Sequence, residues 1–213
     1  MAGILDLLNS DLGKQIVSGV AGSTGNDSNK TSSVLTMGLP VLMKAMERNA
    51  ATPEGAEGLM GALANKHDGS ILDNLGSLFG GGGVDESVKQ DGAGILGHIL
   101  GAKQNGVEQV IGQKAGIDAG SVGNILKVAA PILMGVLGKQ KKEQNVSSSG
   151  DLTGLLGGLL GGSSASNDQS FLEKVLDADG DGSVVDDVAG MLLGGSNKQS
   201  GGIGGMLGGL FGK

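Results

Sequence analysis

Apolar residues recur at spacings of three and four along much of the chain. Leu5, Leu8, Leu12 and Ile16 follow this rhythm near the start, and Val34, Met37, Val41 and Leu42 continue it. Ile95, Ile99 and Leu100, then Ile125, Val128, Ile132 and Leu133, repeat it later. That period places apolar side chains on one face of an α-helix. No stretch alternates cleanly between apolar and polar residues, and β-branched residues are sparse, so the predicted fold class is all-α. Thr52-Pro53-Glu54 reads as a helix start, with Thr as N-cap, Pro at the first helical position and Glu near the positive end. Lys139, Lys141 and Lys142 follow an apolar helix and suit its negative end. They read as a solvated terminus, not as a phosphate or lipid patch.

The helical pattern occurs twice. Val34 to Met46 matches Ile125 to Leu137 at an offset of 91, with Pro40 on Pro131 and Leu42-Met43 on Leu133-Met134. Upstream, Gln15-Ile16-Val17 matches Gln109-Val110-Ile111 at an offset of 94, which predicts three extra residues in the first copy between Ser23 and Ser33. Downstream, Gly58 to Leu63 resembles Gly154 to Leu159. A duplication follows. The predicted organisation is two related helical bundle repeats, 1–83 and 84–162, a calcium-loop helix pair at 163–195 and a Gly/Leu-rich tail at 196–213. Pro40 and Pro131 sit inside apolar helical patterns, where each removes a backbone hydrogen bond and kinks or restarts the helix. Their recurrence makes them features of the fold.

Composition narrows the function classes. The 213 residues include 44 Gly, three Phe and no Trp, Tyr or Cys, with a formal charge of −7. Without Cys there is no disulfide, thiolate metal site or Cys nucleophile. Two His cannot build a three-His zinc site. The acidic balance and missing Tyr and Trp argue against nucleic acid as a partner. Met1 to Gly13 has no basic residue before its apolar part, and Asp6 interrupts that part, so no Sec-type signal peptide is predicted. The longest apolar stretch, Ile125 to Leu137, is too short for a transmembrane segment. The expected location is cytoplasmic, or exported by a signal-less route.

The repeated apolar-Pro-Val/Ile-Leu-Met segment, the opening Ile4-Leu-Asp-Leu-Leu8 and the Gly/Leu block from Gly154 to Gly162 together resemble the bacterial YidB-like family, also called domain of unknown function 937. The resemblance covers roughly 1–162. It implies an all-helical fold and supplies no activity. The extra C-terminal segment departs from it.

That segment holds the most chemically specific pattern. Phe171 to Leu176 is predicted as an amphipathic helix leading into Asp177-Ala-Asp179-Gly-Asp181-Gly182-Ser183-Val184, and an apolar helix is predicted to follow at Val188 to Leu193. Carboxylates at loop positions 1, 3 and 5, Gly at 6 and an aliphatic at 8 are the opening half of an EF-hand-type loop. Carboxylates this close repel unless a hard cation lies among them. Gly182 permits the turn that brings the Ser183 carbonyl to the ion. Position 12, where a bidentate carboxylate is expected, is Val188. Asp187 is therefore the first choice for the last ligand and Asp186 the second, with a capping box from Ser183 to Asp186 as the competing arrangement. The expected cofactor is calcium, bound weakly, at about 10⁻⁴ M as in extracellular modules.

Other patterns carry less. Gly92-Ala-Gly94-Ile-Leu-Gly97 fits GxGxxG, but no strand precedes it. His67-Asp68 and His98 lack catalytic spacing and read as loop or helix-surface histidines. A magnesium enzyme built on the Asp cluster would need basic partners, and only Lys174 is close in sequence. Leu155 to Gly162 puts Leu on one helical face with Gly pairs four apart, a helix that needs a partner. The tail, Gly201 to Lys213, echoes Leu75 to Gly80 and carries one charge, Lys213. Docking onto the protein's own groove, or a neighbour's, suits it better than membrane insertion. The expectation is a non-catalytic, calcium-binding structural or interaction protein that self-associates through Gly/Leu helix faces. The alternative is an exported effector or membrane-active protein whose Gly/Leu segments insert into lipid.

Overall fold

A computed structural model describes residues 3–80 and 84–161. The described chain is helical, and no strand occurs among the described residues, as the periodicity predicts. The first half holds α1 (Ile4–Asn9), α2 (Asp11–Thr24), α3 (Ser28–Asn49) and α4 (Pro53–Asn65), then two short helices, α5 (Ser70–Asp73) and α6 (Leu75–Gly80). The second holds α7 (Glu86–Leu100), a 3-10 turn at Gly101–Lys103, α8 (Gln104–Ala115), α9 (Ala119–Glu143) and α10 (Ser149–Gly161).

Side chains start these helices. Ser10, Asp27, Thr52, Asp85 and Asp118 each accept a backbone N–H of the first turn of the helix that follows. At the other end, α2 and α8 stop at Gly25 (φ 69°) and Gly116 (φ 68°), a left-handed conformation suited to glycine. The N–H groups of Asn26 and Ile117 then donate to the carbonyls of Ala21 and Gly112, both at 3.0 Å. Each turn therefore closes in the same way before Asp27 or Asp118 begins the next helix.

These caps correct the predicted register. Gly25 and Gly116, Asp27 and Asp118, and Pro40 and Pro131 all stand 91 residues apart, so the loop from Ser23 to Ser33 carries no insertion. Ile16 corresponds to Val107 and Val20 to Ile111, all four buried. A three-residue shift turns a helix by only about 60°. An apolar stripe consequently looks much the same at offsets 91 and 94, and only the caps distinguish them.

Both proline-bearing helices run on through Pro40 and Pro131 without a restart. They form the centre. α2 packs on α3 and α9, and α8 on α9 and α3. α4 lies against α9 as well as α3, while α10 covers α3, α4 and α9. One apolar cluster extends from Ile4 to Leu159 and draws on both repeats. Glycine allows the closest approaches: a methyl on Gly92 of α7 would overlap the Lys127 carbonyl of α9, and one on Gly138 would overlap the His67 carbonyl.

Candidate functional site

α4 begins where the sequence places it. Thr52 Oγ1 accepts the Gly55 N–H at 3.1 Å and donates to the Asn49 carbonyl at 3.0 Å, with Pro53 in the first turn. The end of α4 brings ionisable groups together. His67 follows it in a loop, one of the two placements the sequence suggests, and is 6% exposed, so it is a buried loop residue. Its Nε2 lies 3.6 Å from Oδ2 of Asp91 on α7, and Lys66 Nζ pairs with the other oxygen of the same carboxylate. Burial pushes the His67 pKa below its ordinary value; Asp91 opposes this and Lys66 adds to it. The result is a neutral imidazole at neutral pH, in a clasp that joins the end of α4 to α7. Neither Lys66 nor Asp91 stands out in the sequence, because His67 and Asp91 are 24 positions apart and no local pattern links them.

A cleft of about 510 Å³ opens between the end of α3, α4, α7 and α9. Met46, Leu59, Ile95, Ile99 and Met134 give it an apolar lining, and both His67 and His98 reach it. His98 is exposed on α7, as expected for a helix-surface residue. Asn49 Nδ2 ties α3 to the far end of α7 by donating to the carbonyls of His98 (3.3 Å) and Ile99 (3.4 Å).

The remaining sequence candidates separate clearly. Gly92, Gly94 and Gly97 lie inside α7, not in a loop before a helix, so they cannot cradle a phosphate there. Lys141 and Lys142 occupy the last turn of α9, and Lys142 pairs with Asp68 at 2.8 Å. That ion pair, with hydrogen bonds from Ser70, holds the Asp68 carboxyl well below the usual carboxylate range. In α10, Leu152, Leu155, Leu156 and Leu159 are buried, so this helix finds its partners in the protein's own α3 and α4. Among the described residues α9 is long and apolar enough to cross a bilayer, with a mean hydropathy of 1.5. It exceeds the apolar stretch predicted from sequence because its helix extends to both sides. Other parts of the fold bury 72% of its apolar window. The loop residues Asp177, Asp179, Asp181, Ser183, Asp186 and Asp187 lie outside the described residues, as does the tail. Among the described residues no group of three or more His, Asp or Glu side chains could hold a metal ion.

The model of a family of bacterial proteins of unknown function, DUF937, matches residues 6–140, from α1 through nearly all of α9. The chain belongs to this family. The DUF937 match thus spans both central helices, Pro40 and Pro131, and both glycine-capped turns, and it stops before α10. No curated protein and no solved structure matches the chain.

Proposed function

We propose that this DUF937 protein is a non-catalytic, calcium-binding interaction protein that self-associates through open, glycine-lined helix faces. One observation carries the reading. On α10, Gly154, Gly157 and Gly161 face open space on the side away from the buried leucines; on α4, Gly61 is likewise open, and Gly58 is open where it borders the cleft. α4 and α10 occupy equivalent places in the two repeats. An interior helical glycine costs about 1 kcal/mol relative to Ala, and close approach of another helix backbone is the gain that offsets it. The leucines of α10 already belong to the core, so the glycine sides are what remains for a second copy. The non-catalytic part follows from the sequence, where His67-Asp68 and His98 lack catalytic spacing and no Cys is present.

Calcium enters through Asp177, Asp179, Asp181 and the Ser183 carbonyl, completed by Asp187 or, as second choice, Asp186. Sedimentation of the full chain with calcium and with EGTA tests assembly. Gly61→Leu and Gly157→Leu are expected to reduce it, and a strict monomer under both conditions would remove the assembly reading. Calorimetric titration with calcium tests the loop. Heat of binding that is lost in Asp181→Ala supports it, and a flat wild-type titration removes it.

A further inference from the structure

The short helices after α4 are held by three side chains spaced four residues apart. Ile71 packs on Gly135 of α9, Leu75 is buried, and Phe79 lies on Gly19 of α2. A methyl on either glycine would overlap the side chain seated there. The chain contains a second copy of this segment. Gly69-Ser-Ile-Leu-Asp-Asn-Leu-Gly-Ser-Leu-Phe-Gly80 and Gly201-Gly-Ile-Gly-Gly-Met-Leu-Gly-Gly-Leu-Phe-Gly212 agree at seven of twelve positions. All three anchors recur, as Ile203, Leu207 and Phe211.

The α2 helix offers two recesses for one occupant. Gly19 is covered by Phe79, whereas Gly22, one turn further on, has nothing near it. Gly22 and Gly76 line an open groove of about 640 Å³ between α2 and α6, together with Gln15, Ser18 and Ser23. Gly76 is likewise open. The place related to this one by exchanging the two repeats has no such seat. Val110 stands at the place of Gly19, Gln113 at that of Gly22, and Lys44 at the place related to Gly135. We propose that residues 201–212 of the same chain dock in this groove beside α6, with Phe211 over Gly22 and Gly208 against Gly76.

Charge and reach agree with this. Residues 201–212 carry no charge, and the groove lining is uncharged, so burial desolvates no ion. Residues 162–200 form the connection. At about 3.3–3.6 Å per residue they can reach any point on a body whose radius of gyration is about 15 Å. Phe211 beside Phe79 would also form an aromatic pair.

The chain has no Cys, so paired cysteines report docking in the full-length protein. With a short bismaleimide, Ser18→Cys/Gly209→Cys should cross-link within one chain roughly tenfold faster than Gln109→Cys/Gly209→Cys, because docking raises the effective concentration. Gln109 is the exposed counterpart of Ser18 on α8. Phe211→Ala should bring the two rates together. Equal rates without that substitution overturn the proposal, and so does cross-linking that joins separate chains at Ser18→Cys. Hydrogen exchange gives an independent readout without altering α2. Amides of residues 15–23 should exchange faster in Phe211→Ala than in wild type, and identical protection overturns the proposal.

Discussion

Thr31 carries a hydroxyl into a place where the second repeat has Val122, and both side chains are completely buried. The Thr31 Oγ1 has no hydrogen-bond partner. Burying an unpaired hydroxyl costs about 1–3 kcal/mol, and Val has nearly the same shape. Thr31→Val is therefore expected to stabilise the fold by about 1 kcal/mol, read as a shift of the urea midpoint without a change in slope. His67 gives a pH dependence of defined sign. Its pKa is lowered on folding, so the unfolded chain takes up a proton first as pH falls. Stability is then lost as pH drops below the unfolded value of about 6.5. The melting temperature should fall between about pH 7.5 and 5.5, and His67→Gln should flatten that slope. Asp85, Asp118 and Asp151, held low by hydrogen bonds from Ser87, Ser121 and Ser148, act in a separate window below the ordinary carboxylate range. Their contribution is lost only under stronger acid, so the two effects can be resolved by titration.

At the level of helices, one segment contains both a forbidden and a permitted position for a methyl group. Gly92→Ala in α7 drives a carbon into the Lys127 carbonyl, and backbone cannot rotate away as a side chain can. Overpacking of this kind costs about 1–3 kcal/mol, more than the gain of about 1 kcal/mol in helix propensity. Gly94→Ala, two residues on, meets open space and should stabilise by roughly that propensity gain. Thermal melts of the two variants should therefore move in opposite directions. The local signals in the sequence locate much at this scale. Thr52-Pro53 marks the start of α4, and the apolar period marks α3 and α9, because caps and periodicity are properties of neighbouring residues. Register between the repeats was not readable from apolar residues alone, since a shift of three keeps the same face inward. Gly92 illustrates the other gap. As part of GxGxxG it suggests a phosphate loop, and its actual reason, the approach of α9, involves a residue 35 positions away.

For the whole molecule, the arrangement of the two repeats decides how it folds. α4 rests on α9 of the other repeat and α10 on α3, so neither half encloses a core alone. Separate polypeptides covering 1–83 and 84–161 are expected to be poorly folded singly and to gain helicity on mixing, measurable by circular dichroism. Two independent melting transitions from the separate halves would contradict this. Leu156→Ala, in the middle of α10, should lower stability by about 2–5 kcal/mol and lower the melting of α3 amides with it. None of this exchange of helices is visible along the sequence, because periodicity says which face is buried but not against which helix. The candidate clasp of His67, Lys66 and Asp91 was hidden for the same reason. The exchange also bears on how such a chain could arise. A polypeptide with a single copy of the unit would lack the partner helix that α4 finds in α9 and α10 in α3, and a second molecule in a symmetric dimer could supply it. Joining two such copies end to end would turn that dimer into one molecule, after which paired positions are free to diverge. Gly19 and Val110, or Thr31 and Val122, are the kind of inequality that a symmetric ancestor could not hold.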